Sequence, residues 1–364
     1  MQAVVIHDYG EHAIEDVPRP EPAGTDVRIA VDRVQCSVTE CRLYRGDNIL
    51  HRDAVAAQLR TGSARLFGHE FCGTVEAVGA DVTRFAPGDR VYPPGKLPCG
   101  ACAYCQRGYQ QYCSDKEQLG YDRAAGLAEY AVVPERVLTK LPDEVSDAAG
   151  AAMQPLASAV LCVRDADIAT GDVVAVIGAG VMGAHCGQLA LANGASRVFA
   201  VELVPRKREL AAEHGMTPID PTDADPAVVV REATDGIGAD VVFEAVGEAQ
   251  AHGSDGDDPL ATAFRTVRRG GRIVQVGHIA DEIVLEPRAY RAKNVSWTNP
   301  TVGVVQTGPN AHTGEVAVDL VASGRIAIEA YVSHELAGLE AFEEAVEITL
   351  DPARKLGPAQ LIVS

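Results

Sequence analysis

The stretch VVAVIGAGVMGAH, residues 173–185, decides how the middle of this chain folds. Its apolar run VVAVI reads as a buried strand, after which Gly178, Gly180 and Gly183 fall in the pattern G-x-G-x-x-G at the mouth of a helix. The first glycine permits a tight turn, the second lets backbone approach a pyrophosphate, and the third lets helix and strand pack closely. The helix start, with Val181 and Met182, offers free N–H groups and a positive dipole end to the phosphates. These five residues are the first candidates for holding a dinucleotide.

Nineteen residues beyond Gly183 the next strand, RVFAVE, ends in Glu202. An acid there accepts hydrogen bonds from ribose hydroxyls and repels a 2′-phosphate, which selects NAD over NADP. Arg206, Lys207 and Arg208 follow closely, and a guanidinium such as that of Arg208 turned towards the ribose accommodates a phosphate instead, so NADP stays the less favoured alternative.

Outward from the glycine turn, residues 155–298 alternate strands with amphipathic runs: VVAVIGAG, GAHCGQLALANGA, RVFAVE, RKRELAAEHG, then ADVVFEAVG and GGRIVQVG. That alternation means βαβ units and a parallel sheet. HGSDGDDP, from His252 to Pro259, is polar and glycine-rich and reads as a surface loop. Residues 1–154 read instead as short β-runs between Pro/Gly turns, such as VRIAVDRVQC, CGTVEAVGADV and GDRVYPPG. Residues 299–364 supply a helical run GEVAVDLVASGR, an extended AYVSHEL, a helix LEAFEEAVEIT and a last strand AQLIVS. The fold class is α/β, and 364 residues suit two folding units.

Fifty-one acidic against 32 basic residues leave a formal charge of −19, which repels nucleic acid and anionic membrane and excludes both as partners. Arg outnumbers Lys by 26 to 6, a balance that suits a high-salt cytoplasm and equally a GC-rich coding sequence. No stretch approaches the roughly 18 apolar residues of a membrane span, and Met1 leads into AVVIHDYG without a basic-then-apolar leader, so a cytoplasmic protein is expected.

Nine cysteines in such a chain do not suggest disulfides. Cys99, Cys102, Cys105 and Cys113, in CGACAYCQRGYQQYC, crowd into fifteen positions with the spacing C-x2-C-x2-C-x7-C. Four thiolates make a closed tetrahedral set with no open position for substrate, so this site folds a loop around zinc and does no chemistry. Cys72, Cys162 and Cys186 lie in apolar surroundings and read as core.

Taken together, FGHEFCGTVEAVG (67–79), FAPGDRV (85–91), the cysteine lobe, GLAEYAVVP (126–134), the glycine turn, GADVVFEAVG and RRGGRIVQVG resemble the medium-chain dehydrogenase/reductase superfamily. The resemblance is strongest to its zinc-containing alcohol and polyol dehydrogenases, such as sorbitol, butanediol and threonine dehydrogenases. It implies a GroES-like β-barrel catalytic domain completed by the C-terminal segment, a Rossmann domain between, and a homodimer or homotetramer. It further implies Val246, Gly277 and His278 as cofactor neighbours at the later strand ends, and a catalytic zinc that polarises an alcohol oxygen while hydride passes to the nicotinamide.

The family builds that zinc site from a Cys in a C-x-[ST]-D run, the His and often the Glu of GHE, and a Glu in an EPL run. His69 and Glu70 match the second element; aligning SVTECRLYRG and MQPLASAV on the others puts Ser37 and Gln154 where the anionic ligands belong, with Glu40 at the acid. Both departures weaken zinc binding, because thiolate and carboxylate supply most of the charge compensation. Cys36, one residue off register, and Cys41 are neighbouring thiols that read as buried strand cysteines, and Glu70 becomes a direct ligand candidate beside His69, Gln154 and Cys36. Thr39 is the candidate for relaying the substrate proton. His51 lies in NILHRDAVAAQLRTGSARL (48–66), a stretch longer than the family usually has there, and reads as a solvated loop residue.

Three functions compete on these residues. The first is NAD-dependent oxidation of a secondary alcohol, polyol or sugar, metal-assisted at His69 and Glu70. The others are a zinc-free carbonyl or alkene reductase, and a nucleotide-binding protein without turnover.

Overall fold

The computed structural model describes every residue except 63, 280–281, 302, 304, 309–310 and 353–355. The chain forms two compact units, one of Met1–Ser158, Gly303–Gly324 and Ile328–Ser364, the other of Ala159–Val302 and Arg325–Ala327.

In the first unit, Asp26–Gln35 (β1) buries Val27, Ile29 and Val31 with the period-2 alternation of a half-buried strand. A register shift between Val31 and Arg33 then resets the phase, so that Val34 and Gln35 are buried. With Glu70–Val78 (β2), Arg90–Tyr92 (β3), Tyr130–Pro134 (β4) and Thr139–Lys140 (β5), this strand makes most of a seven-stranded sheet. Two helices interrupt what the sequence presents as β-runs. Val38–Tyr44 (α1) starts at Ser37, whose Oγ accepts from the Glu40 N–H at 3.3 Å, and Arg52–Leu59 (α2) starts at His51, a left-handed residue with φ of 73°. Cys41 therefore sits on a helix and not on a strand.

The second unit begins its sheet with Val173–Ile177 (β6), the glycine turn and Val181–Ala192 (α3). Arg197–Val201 (β7), Pro205–Glu213 (α4), Thr217–Ile219 (β8), Ala239–Glu244 (β9), Val267–Gln275 (β10) and Ser296–Thr298 (β11) follow. The six strands are parallel, in the order β8-β7-β6-β9-β10-β11. This is a Rossmann sheet, and its order reverses between β6 and β9, where a crevice opens at the strands' carboxyl ends. Ala175, Ile177, Phe199, Val242 and Ile273 fill its core. His252–Asp258 is irregular and leads into the helix Pro259–Thr266, which takes in the last residue of the stretch read as a loop.

The chain then returns to the first unit with the helix Thr313–Ala322, the strand Glu335–Ala337 (β12), the helix Phe342–Leu350 and the strand Gln360–Ile362 (β13). β13 pairs antiparallel with β1, which sets Gln360 opposite Gln35. Among the described residues no helix is long and apolar enough to cross a membrane.

Candidate active site

Strand register assembles the first cluster. Gln35 lies opposite Glu70 in the β1–β2 pair and opposite Gln360 in the β1–β13 pair, so three buried polar side chains form a row. Gln360 Nε2 donates to Gln35 Oε1 at 3.2 Å, and Gln35 Nε2 donates to Glu70 Oε2 at 2.6 Å. The other oxygen of Glu70 faces His69 Nε2 at 3.6 Å. His69 Nδ1 lies 2.6 Å from Glu40 Oε1, and Glu40 also accepts the Gly68 N–H at 2.9 Å. A carboxylate on Nδ1 fixes the imidazole's orientation and directs Nε2 towards Glu70.

Burial pulls the His69 pKa down, but the Glu40 carboxylate outweighs it and lifts it to about 9. Burial raises Glu70 to about 7 against the opposing pull of His69 and Gln35. A nitrogen and an oxygen 3.6 Å apart match two ligands each about 2.1 Å from one metal ion, so the pair fits a divalent cation. Gln154, on the helix Met153–Ala166, approaches the same place: a Cβ added to Gly95 would lie 3.1 Å from His69 Cδ2 and 3.3 Å from Gln154 Nε2. Its amide nitrogen donates to Ser158 Oγ at 3.3 Å, which leaves the amide oxygen as a neutral donor.

The remaining candidates divide. Ser37 spends an Oγ lone pair on capping α1. Cys36 is buried, its thiol pKa pushed far up by burial and by Glu40 and Glu70, and Cys41 donates its S–H to the Cys36 carbonyl at 3.7 Å. Thr39 is exposed on the first turn of α1. His51 is not simply solvated: its ring stacks on Tyr121 at 4.8 Å, and Tyr121 in turn lies 6.2 Å from the His69 ring. Nothing in the run GYDRAAG marks Tyr121 beforehand.

In the cysteine lobe the Sγ atoms of Cys99, Cys102, Cys105 and Cys113 all lie within 4.8 Å of one another. Bonds of about 2.3 Å to a tetrahedral zinc would set them roughly 3.8 Å apart, so the set fits that ion. Backbone N–H groups already point at sulfur: Cys99 to Cys113 Sγ at 3.3 Å, and Ala101 and Cys102 to Cys99 Sγ at 3.4 and 3.3 Å. The backbone N–H groups of Cys105 and Ser114 bring the Cys102 thiol down to about 6. Among the described residues this is the only cluster of three or more His, Cys, Asp or Glu ligand atoms.

In the second unit Gly178 turns at φ of 91°, and a Cβ on Gly183 would stand 1.9 Å from the Gly178 carbonyl, whereas one on Gly180 would meet nothing within 4 Å. The third glycine is thus required by packing and the second leaves open space. Glu202 accepts the Ala179 N–H at 3.0 Å and the Val204 N–H at 3.0 Å, holding the turn from β7. Arg208 pairs with Asp220 at 2.5 Å and donates to the carbonyls of Glu202 and Leu203, while Arg206 pairs with Glu209 and Glu213 on its own helix. At the strand ends Val246 and His278 are exposed, and the His278 carbonyl accepts the Glu248 N–H at 2.7 Å.

Residues 23–143 match the family model of the alcohol dehydrogenase GroES-like domain, and residues 181–322 match that of the zinc-binding dehydrogenases. The chain belongs to the zinc-binding alcohol dehydrogenase family. A probable D-xylulose reductase A of Aspergillus clavatus is 34% identical over 287 residues, 77% of this chain and 75% of that protein. An L-threonine 3-dehydrogenase of Bacillus velezensis is 28% identical over 96% of this chain and 95% of its own. An alcohol dehydrogenase from Thermus sp. ATN1 superposes over 100% of both chains with a TM-score of 0.83 at 30% identity. This dehydrogenase therefore pairs a GroES-like domain with a Rossmann domain and is an oxidoreductase of the alcohol and polyol class, working by hydride transfer on small molecules. Two polar residues central to its geometry, Gln35 and Glu244, stand out only in the fold, because each closes a strand whose partners come from other segments.

Proposed function

We propose that the enzyme oxidises a secondary alcohol, polyol or sugar with NAD, assisted by a divalent metal ion held by His69 and Glu70. The observation that carries this reading is the convergence of His69 Nε2 and Glu70 Oε1 at 3.6 Å, with Glu40 behind the imidazole. Held by His69 and Glu70, such an ion would supply Lewis-acid chemistry to an alcohol oxygen. Glu40 holds His69 in the ligating tautomer, Gln35 fixes Glu70, and the Gln154 amide oxygen is the third, uncharged donor. Thr39 relays the alcohol proton outward through its hydroxyl. Glu202 receives the adenosine ribose, and NAD is favoured over NADP because Arg208 and Arg206 are already engaged by carboxylates. The four-cysteine lobe holds the structural zinc. The assembly is a homodimer or homotetramer through an edge strand of the Rossmann sheet, and the acidic, Arg-rich composition suits a high-salt cytoplasm and equally a GC-rich coding sequence.

A metal-free carbonyl or alkene reductase is the second reading, favoured by Ser37 serving as a helix cap and Gln154 as a neutral side chain. Zinc analysis of the purified, active enzyme separates the two. Two zinc ions per chain, falling to one in Glu70→Ala with about a hundredfold loss of kcat/KM, are expected. One zinc in a fully active enzyme overturns the metal-assisted form.

A further inference from the structure

Glu244 ends β9 in the dinucleotide-binding unit and is 0% exposed. Its Oε1 accepts the N–H groups of Val246 and Gly247, both at 2.9 Å, and Gln250 Nε2 at 3.5 Å, while Oε2 accepts Gln275 Nε2. Its backbone carbonyl accepts the N–H groups of Val276 and Gly277 at 2.7 and 2.8 Å. One residue thereby fastens two turns, the one after β9 and the one after β10. The turns press together so closely that a Cβ on Gly277 would stand 2.2 Å from the Gly247 nitrogen.

Every side-chain contact brings Glu244 an N–H and none takes a proton from it. Among the described residues no cationic side chain pairs with it either, so the charge is solvated by dipoles alone. Burial raises its pKa above the ordinary carboxylate value, against the opposing pull of these donors. A buried carboxyl surrounded by N–H donors, the environment that accommodates its ionised form, thus sits at the strand ends on the β9 side of the point where strand order reverses.

The glycine turn at residues 178–183 takes the pyrophosphate, which leaves the turns after β9 and β10 for the nicotinamide end. That end changes charge in the reaction: the oxidised ring is a cation and the reduced ring is neutral. We infer that Glu244 is a positioning residue whose buried carboxylate biases the cofactor site towards oxidised over reduced nicotinamide, favouring alcohol oxidation. This inference rests on the NAD reading above. At an effective dielectric of about 20, a unit charge within about 10 Å of a second one would change such a ratio on the order of tenfold or more.

The test compares zinc-loaded wild type with Glu244→Gln, titrating NADH by fluorescence and NAD⁺ by calorimetry. The exchange conserves side-chain volume, and Gln275 Oε1, buried without a hydrogen-bond partner, can turn to accept from the introduced amide at the cost of the Nε2 bond to the Gly277 carbonyl. The ratio Kd(NAD⁺)/Kd(NADH) is expected to rise about tenfold, with the NADH affinity changing less than about threefold. Equal weakening of both cofactors, or an unchanged ratio, overturns the inference while leaving the NAD reading intact; a wild type that binds neither cofactor overturns both. Should Glu244→Gln melt too low to titrate, the swap E244Q/Q275E keeps the charge in the same pocket. It is expected to hold the wild-type ratio, and a tenfold rise there equally overturns the assignment.

Discussion

The cysteine lobe and the His69 cluster are both candidate metal centres, and they are built in opposite ways. The lobe draws four identical thiols from fifteen consecutive residues, with neighbouring backbone N–H groups already aimed at sulfur. The His69 cluster draws Gln35 with Glu40, His69, Gln154 and Gln360 from four separate segments, brought together by strand register and two helices. A centre that is local in sequence folds its own loop, so its ligands are indispensable to structure. A centre held by the surrounding fold keeps its geometry when a ligand changes. Ser37 and Gln154 stand where the resemblance places anionic ligands, while the Glu40–His69–Glu70–Gln35 contacts are all formed.

The sharpest way to break this contrast is to remove one lobe sulfur. Cys105→Ser, at a buried ligand, is expected to lose the lobe's zinc and about 3 kcal/mol of stability, seen as a fall of roughly 10 °C in Tm. Scanning calorimetry with metal analysis checks it. A wild type without zinc in the lobe, or a variant whose Tm is unchanged, would show that the lobe is ordinary loop structure.

The next effect is one of pH, measured after mild chelation that leaves the lobe loaded. His69 is raised to about 9 from an unfolded value of 6.5, so its contribution is complete below pH 6.5 and lost as pH rises through 9. Glu70, raised to about 7 from 4.5, has the same sign, its contribution disappearing as pH rises through 7. The chelated protein should therefore lose on the order of 5 kcal/mol between pH 5 and 9, the two groups contributing comparably. An ion on His69 and Glu70 competes with those protons and reverses the slope. Urea midpoints across that range, with and without added zinc, report it, and identical slopes would remove the metal from this cluster.

The same contrast explains what could be read from the chain alone. The lobe, the glycine turn and the βαβ alternation are legible because each is a short-range pattern with one physical solution. The helix α1 was marked by Ser37-x-x-Glu40, a capping signature, yet the run reads as the end of a strand; the acid that would complete the cap by reaching back is drawn to His69 instead. Tyr121, Gln35 and Glu244 carried no mark, because their meaning lies in partners up to hundreds of residues away.

The smallest expected effect tests the two altered ligand positions against each other. Gln154→Glu places a carboxylate across Gly95 from His69, restoring the missing charge, and should tighten the second metal about tenfold in competition with a chromogenic chelator. Ser37→Cys should do far less, because the Ser37 side chain is turned to the N–H of Glu40, and losing that cap costs about 1 kcal/mol whatever sulfur gains. If instead the cysteine tightens the metal and the glutamate does not, α1 must yield to let residue 37 face His69, and the held-by-the-fold description of this centre fails.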